Sequence, residues 1–167
     1  KEKYGHKLFR LINETYCVLY GYSLLSEKQI DQYADVYLGL VDMEMLTFIE
    51  DSEGELIGAG ITIPSMAEAL QKCNGEIFPF GWYHVLKALK AKQMDAFNFL
   101  LIAVRPDYQD KGINALFFQD QIPYINKYKI KRLETTSILE TNTKNIANFT
   151  QFDHKMHKRR RAYIKQI

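Results

Sequence analysis

Apolar positions recur with two different periods along this chain, and the switches between them mark out its elements. Over residues 3–20, Leu8, Leu11, Ile12, Cys17 and Leu19 return at helical spacing, and Gly21 stands where a helix stop belongs. Ser26 with Gln29 three residues on opens a second helix as a capping box, and Ile30, Tyr33, Ala34, Tyr37 and Leu38 form its inner face. These two helices are expected to pack together. The period then drops to that of strands. Met45 to Glu50 and Glu55 to Ile63 are apolar, β-branched runs joined by Asp51-Ser52-Glu53-Gly54, a hairpin in which Gly54 takes positive φ. Gly58 and Gly60 weaken the second strand and predict a bulge or the close approach of another group.

From Pro64 to Asp95 the chain leaves the strand pattern. Ser65 with Glu68 starts a short helix, Phe78-Pro79-Phe80-Gly81-Trp82-Tyr83 breaks the period, and Tyr83 to Lys92 restores it, which reads as a helical insertion. Ala96 to Val104 is nearly all apolar, as a strand buried on both faces should be. A helix follows from Gly112 towards Tyr128, and Pro123 is expected to kink or split it. Leu133 to Leu139 is the next strand, and Glu140-Thr141-Asn142-Thr143 leads into a helix through Ile146, Phe149 and Phe152. At the end Met156, Ala162 and Ile164 alternate with Lys and Arg, which predicts a last strand. The order of elements is that of an α/β fold with a mixed sheet.

A chain of 167 residues, 47% hydrophobic and 25% charged, is one globular domain able to bury a core without staples. No apolar run reaches the ~20 residues of a membrane span and no charged-then-apolar leader opens the chain, so a cytoplasmic location without a membrane partner is the expectation. Cys17 and Cys73 have no metal-spaced neighbours and read as reduced structural thiols; no metal is expected. The first residue is Lys, which predicts a piece of a longer chain or a processed form. Six of the basic residues and no acid fall between His154 and Ile167, leaving the rest with sixteen basic and twenty acidic residues, a net −4. That terminal segment reads first as a strand with one solvated face. Nucleic-acid binding through it is disfavoured, since the remaining chain is acidic and Phe97 and Phe99 belong to a buried strand.

The candidate chemistry lies at Val104-Arg105-Pro106-Asp107-Tyr108-Gln109-Asp110-Lys111-Gly112-Ile113-Asn114. A buried strand that ends in a turn and then starts a helix leaves backbone N–H groups unpaired and pointing one way, so the segment can cradle an anion such as a pyrophosphate. It has neither Walker nor Rossmann spacing. It does resemble the acyl-CoA-binding motif of the GNAT superfamily of N-acyltransferases: Arg or Gln, two residues, Gly, one residue, then Gly or Ala. Gln109, Gly112 and Asn114 hold those places. The hairpin from Phe48 to Gly58 looks like the family's second and third strands, and Glu140 to Phe149, with Asn142 and Asn145, looks like the segment that introduces a helix beside the pantetheine. The match in order and spacing covers about residues 1–165.

The resemblance implies a mixed, mostly antiparallel central sheet flanked by helices, with the helical insertion at about 64–95, in a single domain over 1–167. Acetyl-CoA is the implied donor and an amine of a small molecule or peptide the acceptor; a homodimer stays open. Backbone groups of Ile102 and Val104 would bond the pantetheine arm, and those of Gln109, Asp110, Lys111, Gly112, Ile113 and Asn114 would hold the pyrophosphate, with Asn142 and Asn145 beside the arm. Direct attack of the amine on the thioester is implied, with an acid to protonate the leaving thiolate.

The chain departs from the family at several points. No strand precedes the first helix, Asn114 is bulkier than Gly or Ala, and the insertion separates strands that the family joins tightly. Its Phe78–Tyr83 stretch is expected either to wall the acceptor site or to pack the insertion onto the sheet. The family's usual Tyr acid is replaced: Phe149 or Phe152 stands in its place. Tyr163, Tyr108 and Tyr83 are the substitute phenols, and Glu134, Glu140, His154 and His157 the substitute bases; Glu134, Glu140 and Tyr163 are preferred. Because a Phe cannot donate a proton, a catalytically inactive CoA-binding or interaction domain is the alternative.

Overall fold

Helix periodicity becomes two antiparallel-neighbour helices, α1 (Glu2–Tyr16) and α2 (Glu27–Leu40), at the start of the chain. The computed structural model describes residues 2–90 and 95–165, and of residues 2, 3 and 37–40 the backbone alone, so the expected inward positions of Tyr37 and Leu38 and the end of the insertion lie outside it. Leu8, Leu11 and Ile12 are buried as their spacing requires. Cys17 and Leu19 fall beyond the end of α1, Cys17 is exposed, and Gly21 adopts φ 78° in the turn. At the head of α2 the Gln29 Oε1 accepts from the Ser26 N–H at 2.9 Å, which is one half of the capping box.

Four strands form one sheet in the order β1-β2-β3-β4: β1 (Leu46–Glu50), β2 (Leu56–Pro64), β3 (Ala96–Val104) and β4 (Arg132–Thr135). The first three are antiparallel neighbours, and β4 runs parallel to β3. Within the hairpin turn Asp51 accepts the backbone N–H groups of Glu53 and Glu55, and Gly54 sits at φ 79°. Helices cover both faces. From one side Leu8, Leu11 and Ile12 of α1 pack with Leu46, Leu56, Ala59 and Ala103. From the other, α5 (Ile113–Lys127) lays Phe117 across β2. A Cβ on Gly58 or Gly60 would lie 3.1 or 3.0 Å from the Phe117 ring, so the expected close approach is made by an aromatic side chain that needs both positions bare. A buried polar clamp assists: Gln121 of α5 donates to Thr47 of β1 and accepts from Thr62 of β2.

Pro123 does not split α5, which is assigned as continuous through it. The carbonyl it leaves without an N–H partner belongs to Gln119 on the exposed side, where water can serve. Between β2 and β3 the insertion carries α3 (Ala67–Lys72) and α4 (Gly81–Lys90). Two expected strands are cut down. Residues 136–139 continue β4 only through Thr136, whose N–H donates to the Phe99 carbonyl and whose hydroxyl donates to that of Leu100, because β3 and the chain after β4 then part. The basic end forms no strand among the described residues: alternation supplies a face but not a partner, and Met156 and Ile164 stay 71% and 86% exposed.

Candidate functional site at the end of β3

Pairing of β3 with β4 stops at Phe99 and Thr135, so the later half of β3 has an open edge. Which backbone groups face that edge is set by an irregularity opposite β2. Ile61 pairs with Leu101 while Thr62 pairs with Phe99, leaving Leu100 over and reversing the phase of the strand beyond it. Arg105 N–H then still reaches Ile57 in β2, while the Ile102 and Val104 carbonyls turn to the open side and take side-chain donors. The Val104 carbonyl accepts from Gln109 Nε2 at 3.1 Å. That of Ile102 accepts from the Tyr16 hydroxyl at 3.0 Å. Tyr16 closes α1 and its ring is packed edge-on against Tyr22, and burial pushes its pKa up to about 12.

The open edge runs into the turn. Pro106–Tyr108 forms a single 3₁₀ turn, Asp110 takes φ 63°, and Gly112 caps α5 at φ 77°. Among the described residues none of the backbone N–H groups of Asp110, Lys111, Gly112, Ile113 and Asn114 donates to another atom. Nothing lies within 4 Å of where a Gly112 Cβ would stand. Free amides at the head of a 15-residue helix with open space before them fit a phosphate group.

Side chains around the turn are tied to one another. Arg105 grips Asp107 at 2.7 and 2.9 Å, and Tyr108 donates to Asp51 of the hairpin at 3.2 Å. The guanidinium of Arg105 and the ammonium of Lys111 lie 4.6 and 4.9 Å from the Tyr108 ring centroid. Backbone N–H donation from Glu55 lowers the Asp51 pKa, with Glu53, Tyr108 and Arg105 adding to it; burial and the Asp51 bond raise that of Tyr108. Across the turn, α6 (Thr143–Ala147) brings Lys144 to Asp110 at 2.8 Å, and Asn148 accepts from Asn114 at 2.8 Å. Asn142 is the N-cap of α6, its Oδ1 accepting the Asn145 N–H. Asn114 thus ties the head of α5 to the end of α6, whereas the side chains of Asn142 and Asn145 bond within α6 and its caps.

The expected acid and base residues do not come together in this way. Among the described residues the side chains of Glu134 on β4, Glu140 before α6 and Tyr163 make no hydrogen bond or ion pair, and Tyr163 is 83% exposed. His154 Nδ1 contacts its own segment at the Phe152 carbonyl. Phe149 and Phe152 join Phe99 and Phe118 in an aromatic cluster with ring centroids 4.8 to 6.3 Å apart, which gives both a packing role beside the open edge. Tyr16, Lys144 and Asn148 were not expected at the site. Helical spacing around Asn142 places Lys144 and Asn148 on α6, but nothing local marks Tyr16.

No family model matches the chain. Protein YghO of Escherichia coli K12 is 30% identical over 153 residues, 89% of this chain and 39% of that protein. A bacterial ceramide synthase of Caulobacter vibrioides is 26% identical over 102 residues, 61% of this chain and 26% of that protein. The chain therefore spans well under half the length of these curated relatives. Among solved structures, a tetramutant of BH1408 from Bacillus halodurans superposes with a TM-score of 0.64 at 13% identity, over 99% of this chain and 96% of that one. An aminoglycoside 6'-N-acetyltransferase from Acinetobacter baumannii gives 0.58 at 12%, over 100% and 95%. A ribosomal-protein-alanine N-acetyltransferase from Brucella melitensis gives 0.55 at 14%, over 99% and 94%. The chain has the fold of the GNAT acetyltransferases, as the resemblance in its sequence implied.

Proposed function

We propose that the chain is an acyl-CoA-dependent N-acyltransferase. The observation that carries the reading is the open edge of β3 leading, through a single 3₁₀ turn, into the free amides from Asp110 to Asn114. Ile102 and Val104 offer backbone groups to an extended pantetheine arm, and the turn and the α5 N-terminus receive the pyrophosphate, with Lys111 and Lys144 adding positive charge. Acetyl-CoA is the simplest donor, and a small-molecule or peptide amine the simplest acceptor. The relationship to a ceramide synthase favours a wider class on both counts, since a ceramide is a long-chain amine carrying a fatty acyl group on nitrogen.

A bound thioester supplies the activated acyl group: the C–N bond to the amine forms and the C–S bond breaks. The chain's part is to hold both and to manage the proton. Tyr16 is the phenol already on the open edge, and like any phenol it is protonated at neutral pH. An amide of the pantetheine arm that takes over the Ile102 carbonyl would release the Tyr16 hydroxyl to protonate the departing thiolate. Glu134 and Glu140 are the carboxylates proposed to receive the ammonium proton, directly or through water.

A second reading is favoured by Phe149 and Phe152, which cannot donate a proton: a GNAT-fold module that binds CoA without turnover. Release of free CoA separates the two, measured with acetyl-CoA and a long-chain acyl-CoA against small amines, peptides and a sphingoid base. Turnover with any amine above the uncatalysed rate supports the enzyme. CoA binding with no turnover across the panel leaves the module.

A further inference from the structure

The Phe78–Tyr83 stretch stands away from the sheet and from the anion turn alike. It does not pack the insertion onto the sheet, since Phe78 and Phe80 are 81% and 76% exposed, with Ile77, Trp82, Tyr83 and Leu86 between 40% and 56%. It also lies far from the anion turn. The insertion leaves the sheet after Pro64 and rejoins it at Ala96, the end of β3 away from the anion turn, and nine extended residues of β3 lie between. Exposure on this scale and this contiguous marks a contact surface.

The tip is firmly built, so the exposure is held in place. A Cβ on Gly81 would stand 1.9 Å from the Glu76 carbonyl oxygen, so the loop closes on itself as tightly as a bare glycine permits. Trp82 N–H reaches the Ile77 carbonyl at 2.9 Å, and the Trp82 indole donates to Pro79 at 2.9 Å. Behind the aromatic ridge an open hollow of about 270 Å³ is rimmed by Lys72, Asn74, Glu76 and His84.

Chemistry identifies the occupant. Helix α4 places Trp82, Tyr83 and Leu86 at its tip end and Lys87 and Lys90 farther along the same exposed side, and it carries no acid. Glu76 is the sole carboxylate between Cys73 and Lys90. Phenylalanines at the outermost point, Trp and Tyr behind them, and lysines farther back follow the gradient from acyl chains through the interface to anionic headgroups. A protein groove would more readily take a stripe along a helix than a loop tip backed by lysines. We infer that the tip from Ile77 to Tyr83 is a docking surface for an anionic lipid bilayer, with Lys87 and Lys90 at headgroup level. The expectation of no membrane partner rested on the lack of a spanning segment, and among the described residues no helix is long and apolar enough to cross a membrane. Surface docking needs none. It stands apart from the acyltransferase reading, and CoA binding by the tip variants keeps the two separable.

Trp82 is the sole tryptophan of the chain, so its emission reports on the tip alone. The full-length chain should sediment with vesicles of phosphatidylcholine and phosphatidylglycerol in equal amounts, with a blue shift of Trp82, and far less with phosphatidylcholine alone or in high salt. Removing each phenylalanine, Phe78→Ser and Phe80→Ser, should weaken partitioning about tenfold. Lys87→Gln and Lys90→Gln, which leave the apolar tip unchanged, should each weaken binding to the mixed vesicles about fivefold. All four variants should bind CoA like the parent. Absence of sedimentation and shift overturns the proposal. So does a blue shift that grows with protein concentration without vesicles and with doubled mass, which makes the tip a contact between copies. Buried Trp82 emission in the full-length protein alone, without vesicle binding, overturns it in favour of another part of the chain.

Discussion

At the C-terminal end of β3 the polar side chains are cross-tied and the free groups are backbone amides, whereas at its N-terminal end the insertion holds aromatic side chains out in solvent. Both ends spend local order on keeping something unpaired. Around Gly112 the unpaired groups are N–H donors that select for negative charge; around Phe80 they are apolar surfaces that select for a non-aqueous phase. The contrast separates the anion turn at one end of β3 from the aromatic tip at the other.

The largest effect should come from the wedge that ties the first end together. Phe117→Ala removes the ring filling the space over Gly58 and Gly60, and should cost about 3–5 kcal/mol in denaturant unfolding. Any α5 that survives should hold the turn less well, so CoA binding should fall while vesicle binding stays. Tyr16→Phe should sharpen the contrast within the first end: turnover should drop about a hundredfold with CoA affinity unchanged. Equal loss of affinity would mean that Tyr16 only shapes the groove.

A smaller effect distinguishes the ends by pH. The Asp51 carboxyl, lowered below its ordinary 3.8 chiefly by the Glu55 N–H, joins the hairpin turn to Tyr108. Its contribution to stability is complete above that ordinary value and is lost as pH falls through the lower folded one. Parent and Asp51→Asn should therefore differ in thermal unfolding at neutral pH and converge in acid, with CoA affinity following and vesicle binding through the tip indifferent.

Local patterns were legible and long-range ones were not. The hairpin, the insertion, β3 and the α5 cap could be read because period, turn residues and Gly112 act over a few positions. Gly58 and Gly60 announced a close neighbour without naming Phe117. The shortness of β4 and the missing last strand are tertiary facts, set by where β3 parts from its neighbour and by the lack of a strand to pair with. Phe149 and Phe152, read as a missing acid, also pack with Phe99 and Phe118, a pairing no spacing rule predicts. Tyr16 meets Ile102 across 86 residues of sequence, so its place at the open edge had no local signal.

The central claim concerns the donor, and calorimetric titration of the parent and Gly112→Glu with CoA tests it most directly. A side chain at φ 77° is strained by roughly 1–2 kcal/mol, which the fold can bear, and a carboxylate there would repel the pyrophosphate. Micromolar binding by the parent, lost by at least about a hundredfold in a Gly112→Glu variant that keeps the parent's circular dichroism, is the predicted result. No binding of CoA by the full-length parent, or equal binding by both proteins, would contradict it.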